Sequence, residues 1–252
     1  MKRLSTFGLL GVLLVVLAGC GPQNSGFFQK NLIEPFANLI HFTATLFNGD
    51  YGIAIILITL LIRLVLAPFF IRMYKNQREM KVKMDAIKPK MTEIQKKMKA
   101  TKDRAEQQKY QQEMMQLYQQ HGVNPMNMGC LPILIQMPIL MGFYYAIRTS
   151  TEIASHNFLW FSLGHSDTIM AIIACAVYLV QFQVSQINMP EQQKKTMRFI
   201  GLISPVFILI MSLNYPAVLA LYWTFSGLFM IAQTLLSKKL YPPLEQEQVN
   251  EA

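Results

Sequence analysis

One charged side chain interrupts the first long apolar stretch of the sequence. Arg63 lies between Tyr51 and Ile71, nearer to the second of these residues. An arginine at the centre of a membrane helix costs about 2.5–3.5 kcal/mol on insertion scales, so it is expected to face water or a partner. Thr59 precedes Arg63 by one helical turn and lies on the same face. The pair is the first candidate for a polar site within a membrane.

The other apolar stretches provide neutral polar side chains near Arg63 but no carboxylate. Glu152, Asp167 and Glu191 lie at the edges of loops, which disfavours a buried salt bridge. The neutral polar residues of these stretches are Gln136, Gln181, Gln183, Ser185, Tyr222, Trp223, Ser226 and Gln233. A cation among such groups predicts a hydrated groove. The alternative is that Arg63 extends its guanidinium to nearby lipid headgroups.

The sequence contains no recognisable catalytic or metal-binding motif. The 3 cysteines, Cys20, Cys130 and Cys175, show no C-x-x-C spacing and no accompanying His-rich run, which disfavours disulfides and zinc. All 4 histidines fall outside the apolar cores, where none is placed to activate a serine, and H-E-x-x-H is absent. We therefore predict no enzyme activity, no cofactor and no metal.

Composition and charge distribution indicate a membrane protein. Hydrophobic residues make up 52% of the chain and charged residues 15%. The net charge of +9 comes from lysines and arginines concentrated in residues 72–121, with more at 188–198 and in the tail. Residues 150–167 and 214–216 carry none. Because cytoplasmic loops are enriched in Lys and Arg, this alternation predicts topology rather than specific nucleic-acid binding.

The N-terminus has the layout of a secretory signal. Lys2 and Arg3 precede a short apolar run that ends in Leu17-Ala18-Gly19-Cys20. L-A-G-C resembles the bacterial lipoprotein signal, which implies cleavage before Cys20 and an N-palmitoyl, S-diacylglyceryl cysteine. The alternatives are an ordinary signal peptide or an uncleaved anchor. A lipidated N-terminus outside the cytoplasm agrees with the orientation obtained from the basic loops.

The hydrophobic pattern predicts an all-α integral membrane protein. Its fold comprises five transmembrane helices, a cytoplasmic antiparallel coiled-coil hairpin and an N-terminal interfacial helix. In chain order we predict a lipoprotein signal peptide (1–19), an extracellular linker and interfacial amphipathic helix (20–50), a first span (51–71), the hairpin (72–125), a second span (129–148), an extracellular loop (149–167), a third span (168–187), a cytoplasmic loop (188–198), a fourth span (199–213), a fifth span (216–236) and a cytoplasmic tail (237–252).

Heptad spacing predicts the hairpin. The two seams are Met80, Met84, Ile87, Met91, Ile94 and Met98, followed by Tyr110, Met114, Leu117 and His121. Asp103 with Glu106 is expected to cap the second helix, and Pro89 to kink the first. The hairpin is either a docking arm for the ribosome or targeting factors, or a basic surface solvated near anionic headgroups.

Several motifs occur together over residues 30–237. They are Arg63 before Pro68, the basic hairpin, Gly122-Val123-Asn124-Pro125, Leu131-Pro132-Ile133-Leu134-Ile135-Gln136-Met137-Pro138, Phe158-Leu159-Trp160, Tyr215-Pro216-Ala217 and Leu221-Tyr222-Trp223. Together they resemble the YidC/Oxa/Alb insertases of membrane proteins. The lipoprotein signal and the absence of a large outer domain resemble the Gram-positive forms of that family.

This resemblance implies an insertase and chaperone of the bacterial plasma membrane, with a multi-pass chain and a cytoplasmic C-terminus. Its groove would open to the cytoplasm and be closed toward the outside, with Arg63 attracting acidic residues of a substrate. The implied groove residues are Arg63, Thr59, Gln136, Gln181, Tyr222 and Trp223.

The implied partners are nascent membrane proteins and membrane lipids, with the Sec translocon, the ribosome and the signal recognition particle pathway as candidates. The tail departs from the long basic tail of some members because it is short and carries Glu245, Glu247 and Glu251 near its end. The alternative function is a small channel or transporter, although the sequence shows no internal repeat.

Overall fold

The computed structural model describes residues 29–123, 131–187, 189 and 191–242. The predicted signal peptide, Cys20, Cys130 and the end of the tail lie outside these residues. One π-helical turn (Gln29–Ile33) leads into the first α-helix. The elements are α1 (Glu34–Thr45), α2 (Tyr51–Ala100), α3 (Arg104–Gln120), α4 (Leu131–Thr149), α5 (Thr151–Ser155), β1 (Asn157–Phe158), β2 (Phe161–Ser162), α6 (Thr168–Gln186), α7 (Glu191–Asn214) and α8 (Ala217–Leu240).

A tight turn connects α1 to α2. Asn48 and Gly49 adopt positive φ values of 54° and 82°, which these residue types tolerate best. Asp50 then caps α2, since its carboxylate accepts a hydrogen bond of 2.9 Å from the amide of Ile53. Asn-Gly-Asp is a sequence typical of such turns.

Helix α2 is a single helix of 50 residues, long enough to extend about 75 Å at 1.5 Å per residue. It contains both Pro68 and Pro89, so the predicted boundary at residue 71 is not a helix end. A proline removes one helical hydrogen bond and crowds the preceding turn, which bends a helix without ending it when long helical segments flank it. The first predicted span and the first arm of the hairpin are therefore one continuous element.

The end of α2 and α3 form the hairpin through the predicted seam. Ile87, Ile94 and Leu117 are buried between the two helices, together with Val123. The residues packed against them are Met80, Met84, Met91, Tyr110, Met114 and Tyr118. Most of these residues are predicted seam positions, whereas Met98 and His121 of the predicted seam are not in this cluster.

The hairpin turn is capped as its sequence indicates. The Asp103 carboxylate accepts a hydrogen bond of 2.9 Å from the amide of Ala105, which confirms Asp103 as the cap of α3. Glu106 instead accepts a hydrogen bond of 2.5 Å from the Thr101 hydroxyl, across the turn. Helix α3 stops before Gly122, whose φ of 61° is readily available to glycine.

The opposite end of the molecule, which we call the capped end, consists of α1, α5, β1 and β2. Strands β1 and β2 pair antiparallel, with Phe158 opposite Phe161. The Phe158 ring lies directly over Gly52 at the start of α2, where a Cβ atom would fall 2.1 Å from the ring. Helix α8 is also fixed here, because its Ala217 amide donates to the His165 carbonyl at 2.8 Å.

Within the part of the chain that the structure describes, three helices are long and apolar enough to cross a membrane, namely α2, α6 and α8. Helix α7 begins at Glu191, inside the segment predicted as a loop, and only its portion Gly201–Asn214 is apolar. Helix α4 has 19 residues and an apolar composition interrupted by Pro138.

The hydrophobic core occupies only the half of the bundle next to the capped end. In α2, no residue after Arg63 is buried until Ile87, in the hairpin. In α8, no residue after Gly227 is buried until Ser237. In α6, the last buried residue is Tyr178, so its remaining residues up to Gln186 are not buried. The buried side chains of the bundle therefore lie mainly between the capped end and Arg63.

Candidate functional site

Arg63 lies where the buried core of the bundle ends, on the side toward the hairpin. Its side chain is buried, with 8% of the residue exposed. The guanidinium Nε donates a hydrogen bond of 2.5 Å to the Ser226 hydroxyl on α8, and Nη2 donates one of 3.2 Å to the Gln136 amide oxygen on α4. Both contacts are with neutral groups, so they orient the cation without cancelling its charge.

Gln136 extends the network to Tyr222. The Gln136 amide nitrogen donates to the Tyr222 hydroxyl, which is almost completely buried on α8. Arginine has no hydrogen-bond acceptor, so Gln136 must present its oxygen to Arg63 and its nitrogen to Tyr222. The chemistry of the three side chains thus fixes the orientation of the amide.

Three helices place these side chains. Arg63 comes from α2 and Gln136 from α4, while Tyr222 and Ser226 lie one turn apart on the same face of α8. Helix α4 packs its backbone mainly against α1 and α5 at the capped end. Farther along, it reaches α8 through long side chains, including Phe143, whose ring centre lies 4.9 Å from that of Tyr222.

The electrostatics of the site follow from what surrounds the guanidinium. Among the described residues, no carboxylate lies within ion-pair distance of Arg63. The described residues also contain no cluster of His, Cys, Asp and Glu that is suited to a metal ion. What the arrangement offers chemically is one oriented cation with neutral polar neighbours, at the end of the buried core of the bundle.

The other predicted groove residues lie close in the fold but take no part in this hydrogen-bond network. Thr59 is buried, and its hydroxyl donates to the Ile55 carbonyl at 2.7 Å rather than to a neighbouring helix. Trp223 is buried with 4% exposure. Gln181 is half-buried on α6, and the described residues show no hydrogen bond between it and Arg63. Of the predicted set, the structure therefore joins Arg63, Gln136 and Tyr222.

Two members of the site were absent from the predicted set. Ser226 was recognised only as one of several neutral polar residues, although its position four residues after Tyr222 was a signal that both share a face. Tyr178 is buried on α6, with its ring against Gly227 of α8, the residue after Ser226. A tyrosine in an apolar helix is usually an ordinary core residue, so the sequence gave no reason to assign Tyr178 to the site.

Comparisons with known proteins agree on one family. A family model described as 60Kd inner membrane protein matches residues 42–245. The chain is 54% identical over 237 residues to membrane protein insertase YidC 2 of Listeria monocytogenes, covering 92% of the chain and 86% of that relative. It is 44% identical over 246 residues to membrane protein insertase MisCB of Bacillus subtilis, covering 90% of each.

A solved structure shares the fold. It is described as an active YidC insertase crystal structure with the first transmembrane domain resolved. The superposition has a TM-score of 0.55 at 26% sequence identity and covers 87% of this chain. It covers 49% of that protein's chain, so the present chain corresponds to about half of the solved structure.

Proposed function

Because the chain belongs to the 60Kd inner membrane protein family, we propose that it is a membrane protein insertase whose substrates pass along a groove that contains Arg63. The observation that carries this proposal is a buried arginine, bonded only to neutral groups, at the limit of the packed half of the bundle. Its substrates are segments of nascent membrane proteins, which it inserts and helps to fold.

The proposed topology places the capped end outside and the hairpin in the cytoplasm. The chain then crosses the membrane five times, through the first half of α2 and through α4, α6, α7 and α8. The basic residues of the hairpin support this orientation, since Lys and Arg are enriched on the cytoplasmic side. Lipidation of Cys20 gives the chain a second attachment to the outer leaflet.

The burial pattern supports a groove that is closed outside and open inside. Dense packing between the capped end and Arg63 blocks passage of water through the outer half. From Arg63 toward the hairpin, few side chains of α2 and α8 are buried, and water or a substrate segment reaches Arg63 from this side. A polar tail therefore needs to cross only the outer half of the bilayer without an aqueous path.

A short fourth span lowers the remaining barrier. The apolar part of α7, Gly201–Asn214, extends about 20 Å at 1.5 Å per residue, whereas the hydrocarbon core is about 30 Å thick. A bilayer adapts to such mismatch by thinning locally. Thinning and hydration together reduce the free energy of moving a charged residue, which is several kcal/mol in intact hydrocarbon.

Arg63 adds a transient attraction for acidic residues of the substrate. Its own helix bundle provides it with neutral partners, so a passing carboxylate is its natural counter-ion. The hairpin and the cytoplasmic side of the spans would contact targeting factors, the ribosome or the Sec translocon. Ribosome binding through the tail is disfavoured by its terminal acidic residues.

The experiment is insertion of single-span substrates into proteoliposomes that contain the purified protein. Arg63→Ala is expected to reduce insertion of a substrate with an acidic tail, and Arg63→Lys to retain it because the charge remains. The matched substrate differs only in having Asn and Gln in place of the tail carboxylates. Equal insertion of the acidic substrate by wild type and Arg63→Ala would refute the role of Arg63. A parallel ion-flux measurement distinguishes an insertase from a channel.

A further inference from the structure

The immediate partners of Arg63 have a function beyond packing. We infer that Gln136 and Ser226 determine the specificity of the proposed insertase for acidic substrate segments, because they hold the Arg63 guanidinium without neutralising it. Gln136 acts by being an amide rather than a carboxylate, and Ser226 acts by fixing which edge of the guanidinium remains available. The inference rests on the proposed function and names what makes the site selective.

The two contacts lie on one edge of the guanidinium. Nε is bonded to Ser226 at 2.5 Å and Nη2 to Gln136 at 3.2 Å. These two nitrogens form the side-on edge that arginine commonly presents to a carboxylate. The remaining donors are both hydrogens of Nη1 and the second hydrogen of Nη2. Nη1 has no hydrogen-bond partner among residues 29–123, 131–187 and 191–242, so the end-on edge is left for a substrate.

The two acceptors are rigidly supported. Ser226 is completely buried, and the helix around it is packed from Ala217 to Gly227. Gln136 is held in turn by Tyr222, which is 2% exposed. A guanidinium that is fixed on one edge loses less conformational freedom when a carboxylate binds its other edge.

The neutrality of position 136 is what preserves this attraction. A carboxylate in place of the Gln136 amide would stand at the same distance from Nη2 and form an internal ion pair. Its charge would balance that of Arg63, and a second carboxylate from the substrate would then meet no net positive charge. The substitution Gln136→Glu therefore imitates, within the chain, the occupied state of the site.

The decisive test compares two substrates in proteoliposomes, one with an acidic tail and one in which Asn and Gln replace the tail carboxylates. Gln136→Glu is expected to lower insertion of the acidic substrate about tenfold, the factor that corresponds to one lost charge-assisted contact, and to leave the neutral substrate unchanged. Its thermal midpoint in detergent should equal or exceed that of wild type, because the new carboxylate gains a buried partner. Asn157→Asp, an amide-to-carboxylate change at an exposed position of the capped end, is the matched control and should insert both substrates normally.

Ser226 is tested by a double-mutant cycle. Ser226→Ala removes the Nε acceptor and should reduce the preference for the acidic over the neutral substrate. In an Arg63→Ala background the same change should have no further effect on that preference. A purely structural role of Ser226 would instead reduce insertion of both substrates in either background.

The outcomes separate the inference from the proposal that it rests on. If Arg63→Ala impairs the acidic substrate but Gln136→Glu does not, the inference is wrong and the role of Arg63 stands. If Gln136→Glu impairs both substrates equally, or lowers the thermal midpoint, the residue is structural and the inference is also wrong. If Arg63→Ala inserts both substrates normally, the proposed role of Arg63 itself falls.

Discussion

The contact between Gly52 and Phe158 permits a quantitative test of how the capped end is closed. A Cβ atom at position 52 would lie 2.1 Å from Phe158 Cδ2 and 2.2 Å from its Cγ. Carbon atoms pack at about 3.5–4.0 Å, so in Gly52→Ala the ring must move by more than 1 Å. Phe158 is 9% exposed and held by its pairing with Phe161, which leaves the ring little room to move.

Two opposing terms set the size of the effect. Overpacking in a dense core costs about 1–3 kcal/mol. Replacing a helical glycine by alanine gains about 0.5–1 kcal/mol from backbone entropy. Because an approach of 2.1 Å is a severe overlap, we expect a cost of about 2–3 kcal/mol, so the net loss in the free energy of unfolding for Gly52→Ala is about 1–2.5 kcal/mol. Gly142→Ala is the graded control, because its Cβ would lie 3.1 Å from Phe36 and the two terms there nearly cancel.

The measurement is equilibrium unfolding in mixed micelles, followed by tryptophan fluorescence. Trp223 is 4% exposed and therefore reports on opening of the packed half, whereas Trp160 is 52% exposed. In a Phe158→Ala background, Gly52→Ala should no longer destabilise the protein, because the obstructing ring is gone. A Gly52→Ala variant as stable as wild type, or one whose effect persists without the ring, would refute the proposed steric origin.

Two further predictions concern the opposite end of the molecule. The Lys238 ammonium donates hydrogen bonds to the carbonyls of Val184, Ser185 and Ile187 at 2.7, 3.0 and 2.7 Å. Lys238→Met should therefore speed amide hydrogen exchange in the last turn of α6. Lys239→Met, at the exposed neighbouring position, is the control and should not change this exchange. Ile87 is 1% exposed in the hairpin seam, so Ile87→Ala should cost the hairpin about 2–5 kcal/mol and speed its limited proteolysis without changing the unfolding of the spans. Unchanged exchange in the first case, or unchanged proteolysis in the second, would contradict these assignments.

Features fixed by neighbouring residues were predictable from the sequence. The turn at Asn48 and Gly49, the cap at Asp103 and the seam around Ile87 each depend on residue types a few positions apart. Local conformational preferences and side-chain caps decide such features. The extent of α2 was not predictable in the same way, because Pro89 signals a break or a bend equally well.

The residues of the site could be predicted from the sequence more fully than the hydrogen bonds between them. Arg63 stood out by its charge in an apolar stretch, and the lack of a carboxylate in the other stretches indicated neutral partners. Which neutral groups these are depends on helix rotation and spacing in three dimensions. Ser226 lies 163 positions from Arg63 in the chain, and its spacing from Tyr222 indicates a shared helix face but not a contact with Arg63. The contact of Phe158 with Gly52 could not be predicted from the sequence either.

The depth of Arg63 determines how strongly the proposed site attracts a substrate. Two unit charges 4 Å apart attract by about 1 kcal/mol in water and about 4 kcal/mol at an effective dielectric constant of 20. The larger value corresponds to a dissociation constant of about 1 mM, before the desolvation of the carboxylate weakens it further. An arginine on the surface would therefore be too weakly attractive, and one within the packed half would need a permanent counter-ion. Arg63 is buried at the end of the packed core and lies between these limits, which agrees with the proposal that a tail is attracted and still released.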